Sequence, residues 1–206
     1  MNERLKPTPP GPQRPSARVV PNAPTGPDAF LKWASQQPRE AGRFELSKGV
    51  VTQTVIHVTR FHARVCRNLV TELSRLLDPD VYDVATADFA VRSAYGILGP
   101  DIVVDLATPD GGALETEKPL LLAEVLSPSS VGRDFTEKLA EYTAIPSLQT
   151  YLICSQDTPR AWVWIREADG TWPATPAMYE GRDGVIAIAG LNATLAMAAI
   201  FRGIPD

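Results

Sequence analysis

One carboxylate interrupts the stretch Leu120-Leu-Leu-Ala-Glu-Val-Leu126, and every other residue in it is apolar. A short apolar run without alternation fits a strand buried on both faces. Such a strand needs a sheet with other elements packed on either side of it. The same run places Glu124 where an acid is rare unless it is paired or holds a cation.

The remaining segments read in agreement with a layered fold. Residues 62–77 carry Val65, Leu69, Leu73, Leu76 and Leu77 on one helical face, and Asp78-Pro-Asp80 ends that helix. Residues 28–37 predict a shorter helix, and 43–54 alternate around Ser47-Lys-Gly49 as a hairpin. Residues 82–92 alternate as one half-buried strand. Gly96 and Gly99-Pro100 are then read as turns, and Ile102-Val-Val104 as the start of the next strand. A helix is expected over 134–145, closed by Pro146. Strands follow at 150–154 and 161–166, with a weaker one at 184–189 and a last short helix at 194–201. The expected fold class is α/β (α+β), a mixed β-sheet flanked by helices, in one domain over residues 28–206. A body of that length buries roughly 70% of its unfolded surface. Residues 1–27 hold eight of the 19 prolines without apolar periodicity, which predicts a disordered Pro-rich tail.

Charge narrows the partners. The chain carries a formal −4 and its tail has four basic residues against one acid, so the folded body is more acidic than the whole. A general nucleic-acid binder would show a basic stripe. Carboxylates that await cations account for part of the deficit. Cys66 and Cys154 stand far apart with no metal-ligand spacing between them and read as free thiols. The N-terminus has no apolar signal region, and the longest apolar runs are too short to span a bilayer. The expectation is a cytoplasmic protein with no membrane partner.

Asp101, after Pro100, opens one expected strand, and Glu124 lies on the next. Two carboxylates on neighbouring strands are half of a site that holds a divalent metal for phosphodiester hydrolysis. A lysine two residues after Glu124 would share its face of the strand, but that position is Leu126. Lys138 lies on the following helix, with Asp134 and Tyr142 four residues to either side. Packed across the strand, that helix would carry an ammonium to the scissile phosphate. Read alone, Lys138 is also an ordinary helix-surface residue paired with Asp134, and Glu45 an ordinary residue of an alternating strand. His62 reads equally as a half-buried helix residue or an N-terminal helix group, and His57 carries no signal.

The order and spacing of several motifs are nevertheless specific. They are Phe44-Glu-Leu46 with Gly49; His62, Val65, Leu69 and Leu73; Pro100-Asp-Ile-Val-Val104; and Glu124-Val-Leu-Ser-Pro-Ser129. Asp134, Glu137, Lys138 and Tyr142 follow, then Pro146-Ser-Leu-Gln149 with Tyr151, Gly170 with Trp172, and Thr194-Leu195 with Ile200. Together they resemble the Uma-type endonucleases of the restriction-endonuclease-like PD-(D/E)XK superfamily, from about residue 30 to 204. The resemblance implies a restriction-endonuclease-like core and a Mg²⁺ site, with Mn²⁺ as a substitute. It implies Glu45, Asp101 and Glu124 as the metal-site acids and Lys138 as a catalytic lysine moved from strand to helix. It further implies DNA, expected as a duplex, as substrate, and because cutting both strands takes two sites the expectation is a homodimer. Gly99, where close relatives often have tyrosine, departs from the pattern. A module of the same fold that binds without cutting is the rival expectation.

Overall fold

The computed structural model describes residues 17–54, 58–86, 88–126 and 131–206. His57 and the segment Ser127-Pro-Ser-Ser130 lie outside the described residues.

The apolar run forms a strand, β9 (Leu121–Val125), buried at every position. It sits inside a six-stranded mixed sheet with β4 (Tyr82–Thr86), β7 (Ile102–Leu106), β10 (Thr150–Cys154), β11 (Arg160–Ile165) and β12 (Ala177–Glu180). The order is β12-β11-β10-β9-β7-β4; β9 runs parallel to β10 and antiparallel to β7. On one face Ile102, Val104, Leu121, Ala123, Val125 and Leu152 pack on Val65, Leu69 and Leu73 of helix α2 (Arg60–Leu76). On the other, Val103, Leu122, Leu126 and Ile153 pack with Tyr142, Ile145 and Leu148. Side chains alternate along a strand, so Glu124 belongs to this second face, between Leu122 and Leu126.

The layer over that face is helical but not uniformly α. Val131–Arg133 (α3) leads into a π-helical turn, Asp134–Lys138, and then into Leu139–Thr143 (α4). A π turn inserts a residue into the ladder and rotates the side chains that follow, a distortion frequent at functional sites.

A second sheet has the order β1-β3-β2-β6-β5-β8, from β1 (Ala17–Val19), β2 (Arg43–Ser47), β3 (Val50–Thr54), β5 (Ala90–Ser93), β6 (Gly96–Leu98) and β8 (Glu115–Thr116). Lys48 (φ 50) and Gly49 (φ 77) close the expected hairpin in the left-handed turn conformation that matches strand twist. Leu46, Val51 and Ile97 pack with Phe30 of α1 (Pro27–Ala34). Alternation therefore sends Arg43, Glu45 and Ser47 of β2 to the opposite face. There Ser47 donates to the buried Glu141, and so does Ser93 at 3.2 Å, which ties this sheet to α4. A side chain at Gly96 would place Cβ 2.0 Å from the Leu46 carbonyl oxygen. Gly96→Ala must push β6 away from β2 and should cost about 1–3 kcal/mol in thermal or urea unfolding. A melting temperature within about a degree of wild type would contradict this packing.

The fold is mixed α+β, as expected, but several elements differ. Residues 82–92 are two strands, β4 and β5, in different sheets. The alternation runs on through the bend at which the chain changes sheet, and a two-residue period does not register such a bend. Gly96 begins a strand and is not itself the turn. Residues 193–201 form strand β14 (Ala193–Ala196), paired with β13 (Val185–Ile188), before the four-residue helix α5 (Met197–Ile200). Within the segment expected to be irregular through residue 27, Ala17–Val19 form β1, a proline-free stretch between Pro15 and Pro21 whose backbone pairs with β3. Among the described residues, no helix is long and apolar enough to cross a membrane.

Candidate functional site

The antiparallel register of β7 on β9 pairs Ile102 with Ala123, Val103 with Leu122 and Val104 with Leu121. Continued by one residue, it sets Asp101 opposite Glu124, where side chains one strand apart meet at about 5 Å between Cβ atoms. The Val125 backbone N–H donates to Asp101 Oδ2 at 2.9 Å. The 23-residue spacing in the sequence is thus a cross-strand pair in the fold.

Lys138 completes the group from the helical layer. Its Nζ lies 2.7 Å from Glu124 Oε1, 3.6 Å from Asp134 Oδ1 and 3.7 Å from Glu45 Oε1. The Tyr142 hydroxyl donates to the same Glu124 oxygen at 3.1 Å. Glu45 arrives from the second sheet on β2. Its Oε1 accepts from the Gly99 N–H at 2.9 Å, and its Oε2 is paired with Arg133. Arg43, two residues earlier on the same face of β2, donates to the Gly99 carbonyl and lies 3.8 Å from Asp101 Oδ1. The glycine that departs from the family pattern has a local reason, because a Cβ at Gly99 would lie 2.8 Å from Arg43 Cδ.

Three carboxylates around one ammonium cannot all ionise at low cost, and their protonation separates accordingly. Burial works to raise the Glu45 carboxyl, but Lys138, Arg133, the Gly99 N–H and Arg43 outweigh it and hold it down at about 2. Glu124 moves the other way. Burial raises it, Lys138 opposes the rise, and the charges of Asp134 and Asp101 add to it, leaving the carboxyl at about 8. For Lys138, burial favours the neutral amine, yet Glu124, Glu45 and Asp134 overcome it and keep the ammonium charged above the usual lysine range. Both partners of the 2.7 Å contact are therefore raised. The directions agree if Glu45 is the anion that balances Lys138 while Glu124 retains its proton. Asp101 is pushed upward by burial, but contact with His62, the Val125 N–H and Arg43 bring it below the usual carboxylate range.

The residues expected from sequence thus lie close together, but not as a three-acid cage. Among the described residues, the donors that gather as a group of three within 4.8 Å of one another are those of His62, Cys66 and Asp101. Both oxygens of Glu45 already have protein partners, which suits a residue that positions cations. Asp101 and Glu124 fit a hard divalent ion: they are two oxygen donors on adjacent strands, both Lys138 and Tyr142 bond only Oε1 of Glu124, and Mg²⁺ needs no more than one or two carboxylates. Arg43 and Arg133 were not singled out from the sequence. For Arg43 the signal is its place two residues before Glu45 in an alternating strand; for Arg133 it is one helical turn before Glu137 and Lys138.

Comparison with known proteins agrees with this picture. The Uma2 family model, described as "Putative restriction endonuclease", matches residues 27–198. An uncharacterized protein of Synechocystis sp., sll1609, is 31% identical over 124 residues, which span 56% of this chain and 70% of that protein. The crystal structure of "a putative nuclease belonging to DUF820" from Anabaena variabilis shares the fold, with a TM-score of 0.66 at 16% identity. The match covers 84% of this chain and 96% of that one. With most of its length matched to the family model, the chain belongs to the Uma2 family.

Proposed function

We propose that the protein is a metal-dependent endonuclease that hydrolyses phosphodiester bonds in double-stranded DNA. The observation that carries this reading is the cross-strand pair of Asp101 and Glu124 with the Lys138 ammonium 2.7 Å from Glu124. Asp101 and Glu124 would hold Mg²⁺, or Mn²⁺ in its place; the ion supplies Lewis-acid charge at the phosphoryl oxygens and acidifies a water. Lys138, charged and buried, stabilises the negative charge that grows on the phosphoryl group. Glu45 is a positioning residue that holds Lys138 and Arg133 in place. Tyr142 holds the Glu124 carboxyl through the same oxygen that Lys138 contacts. Arg43 and Arg133, with side chains 20% and 24% exposed, offer cations to the phosphates flanking the cut. Cutting both strands calls for two such sites, and hence two copies of the chain.

The raised Glu124 carboxyl gives this reading a pH signature. Metal must displace the proton that Glu124 keeps at neutral pH, so metal affinity and cleavage rise with pH and level off above about 8. Mg²⁺ or Mn²⁺ binding at pH 7 should release about one proton. Calorimetry in two buffers of different ionisation enthalpy measures that number directly. Equal heats in both buffers would remove Glu124 from the metal site, and no heat at millimolar metal with DNA present would favour the module that binds without cutting.

A further inference from the structure

We infer that His62, Cys66 and Asp101 form a second cation site, which takes a borderline-soft metal such as Zn²⁺ and in doing so withdraws Asp101 from the hydrolytic site. The withdrawal rests on the nuclease reading above; the metal site does not.

His62 and Cys66 stand one helical turn apart on α2 and face the same way. Cys66 Sγ lies 3.6 Å from His62 Nδ1. Bonds of roughly 2.3 Å to sulfur and 2.0 Å to nitrogen at a tetrahedral angle place two such ligands about 3.5 Å apart. The pair therefore already has the spacing of neighbouring zinc ligands. Asp101 offers the third donor, and one ligand atom from each of the three residues lies within 4.8 Å of the others, so closing the set takes a shift of the carboxylate toward the ring nitrogen that the metal binds. That carboxylate faces His62 Nε2 at 3.3 Å.

The scaffold around His62 is built in advance. Thr59 caps α2 by accepting from the His62 N–H at 3.1 Å, and its hydroxyl donates to Gln156 Oε1 at 2.7 Å. The histidine is buried, whereas Cys66 and Asp101 keep partial exposure, leaving room for entry and for a water as fourth ligand. Sulfur, imidazole and carboxylate together select a borderline-soft ion, since Mg²⁺ prefers oxygen alone. A thiolate and a carboxylate also balance a double positive charge, which lowers the cost of placing it in a partly buried site. On binding, the sulfur–metal bond replaces the S–H bond, the proton leaves to solvent, and no electrons are exchanged.

Co²⁺ serves as the spectroscopic probe, titrated into the full-length chain with excess Mg²⁺ and a non-thiol reductant. The wild type should develop a thiolate-to-cobalt charge-transfer band that saturates near one equivalent and is bleached by Zn²⁺. Cys66→Ser should lose the band, and His62→Gln should weaken Co²⁺ binding by at least about tenfold, a loss typical even of residues one shell away from a metal. Thermal melts confirm that each variant is folded. A wild type with no charge-transfer band, or a Cys66→Ser band equal to it, overturns the site. In the cleavage assay, Zn²⁺ equimolar with protein should stop Mg²⁺-supported cutting by the wild type, while Cys66→Ser cuts at its Zn²⁺-free rate. Saturated zinc binding with undiminished wild-type cutting would overturn the withdrawal of Asp101. A wild type that fails to cut with Mg²⁺ alone refutes the nuclease reading, while the cobalt spectrum still judges the metal site.

Discussion

Lys138→Met should destabilise the protein by about 3–5 kcal/mol and abolish cleavage, because the buried ammonium is the counter-charge beside Glu45 and Asp134 and the hydrogen-bond donor to Glu124. Methionine matches the length of the lysine stem, so packing on the helical layer is largely kept and the loss is electrostatic. Glu45 retains Arg133 and Glu124 keeps its proton, but Asp134 loses the ammonium that lies 3.6 Å from its Oδ1. At the heat capacity and entropy usual for a domain of this size, the melting temperature falls by about 10 °C. A variant that melts within about 1 kcal/mol of wild type would mean that Lys138 does not carry the cluster's charge.

Glu124→Gln should separate stability from activity. The folded-state pKa of Glu124 is raised from 4.5 to about 8. A raised acid contributes stability that is full below its unfolded value and is lost as pH climbs through the folded value. Without metal, the wild type therefore weakens between about pH 4.5 and 8, while the glutamine variant, which never ionises, does not. Above neutrality the variant should be the more stable protein by urea unfolding. Its Mg²⁺-supported cleavage should fall by about a thousandfold or more, since the cation loses a charged ligand at the position where charge develops. A variant that cuts at the wild-type rate would refute the site; one that is less stable at pH 8 would refute the raised pKa.

These two outcomes depend on features of unequal visibility in the sequence. Glu124 announces itself, because a lone carboxylate in an apolar strand is conspicuous in one dimension. Lys138 is half visible: its spacing from Asp134 and Tyr142 puts three residues on one side of a helix, but a helical wheel does not say what that side faces. The π turn at Asp134–Lys138 helps to set that side, and no residue pattern in the segment announces it. Glu45 is nearly silent. Its alternating strand gives a face but no partner, and its functional place came from the family resemblance alone. Arg43 and Arg133 have no motif of their own because each meets its partners across sheets or layers, and the i, i+4 contact of His62 with Cys66 gains a third donor only when Asp101 is brought to it from another element. The same limit explains the misread elements: the alternation at 82–92 spans a change of sheet, and the apolar segment after Gly190 divides between a strand and a helix.

By itself the sequence determined that one strand is buried on both faces, that layers must cover it, and that an acid lies within it. Local periodicity suffices for those statements, because burial is written residue by residue along a strand or helix. Only the tertiary structure decided that Asp101 stands opposite Glu124, that the helix over that face brings Lys138 to 2.7 Å, and that β2 delivers Glu45 from a different sheet. Strand register and the docking of one layer on another are settled by contacts between residues far apart in the chain, and no local pattern encodes them.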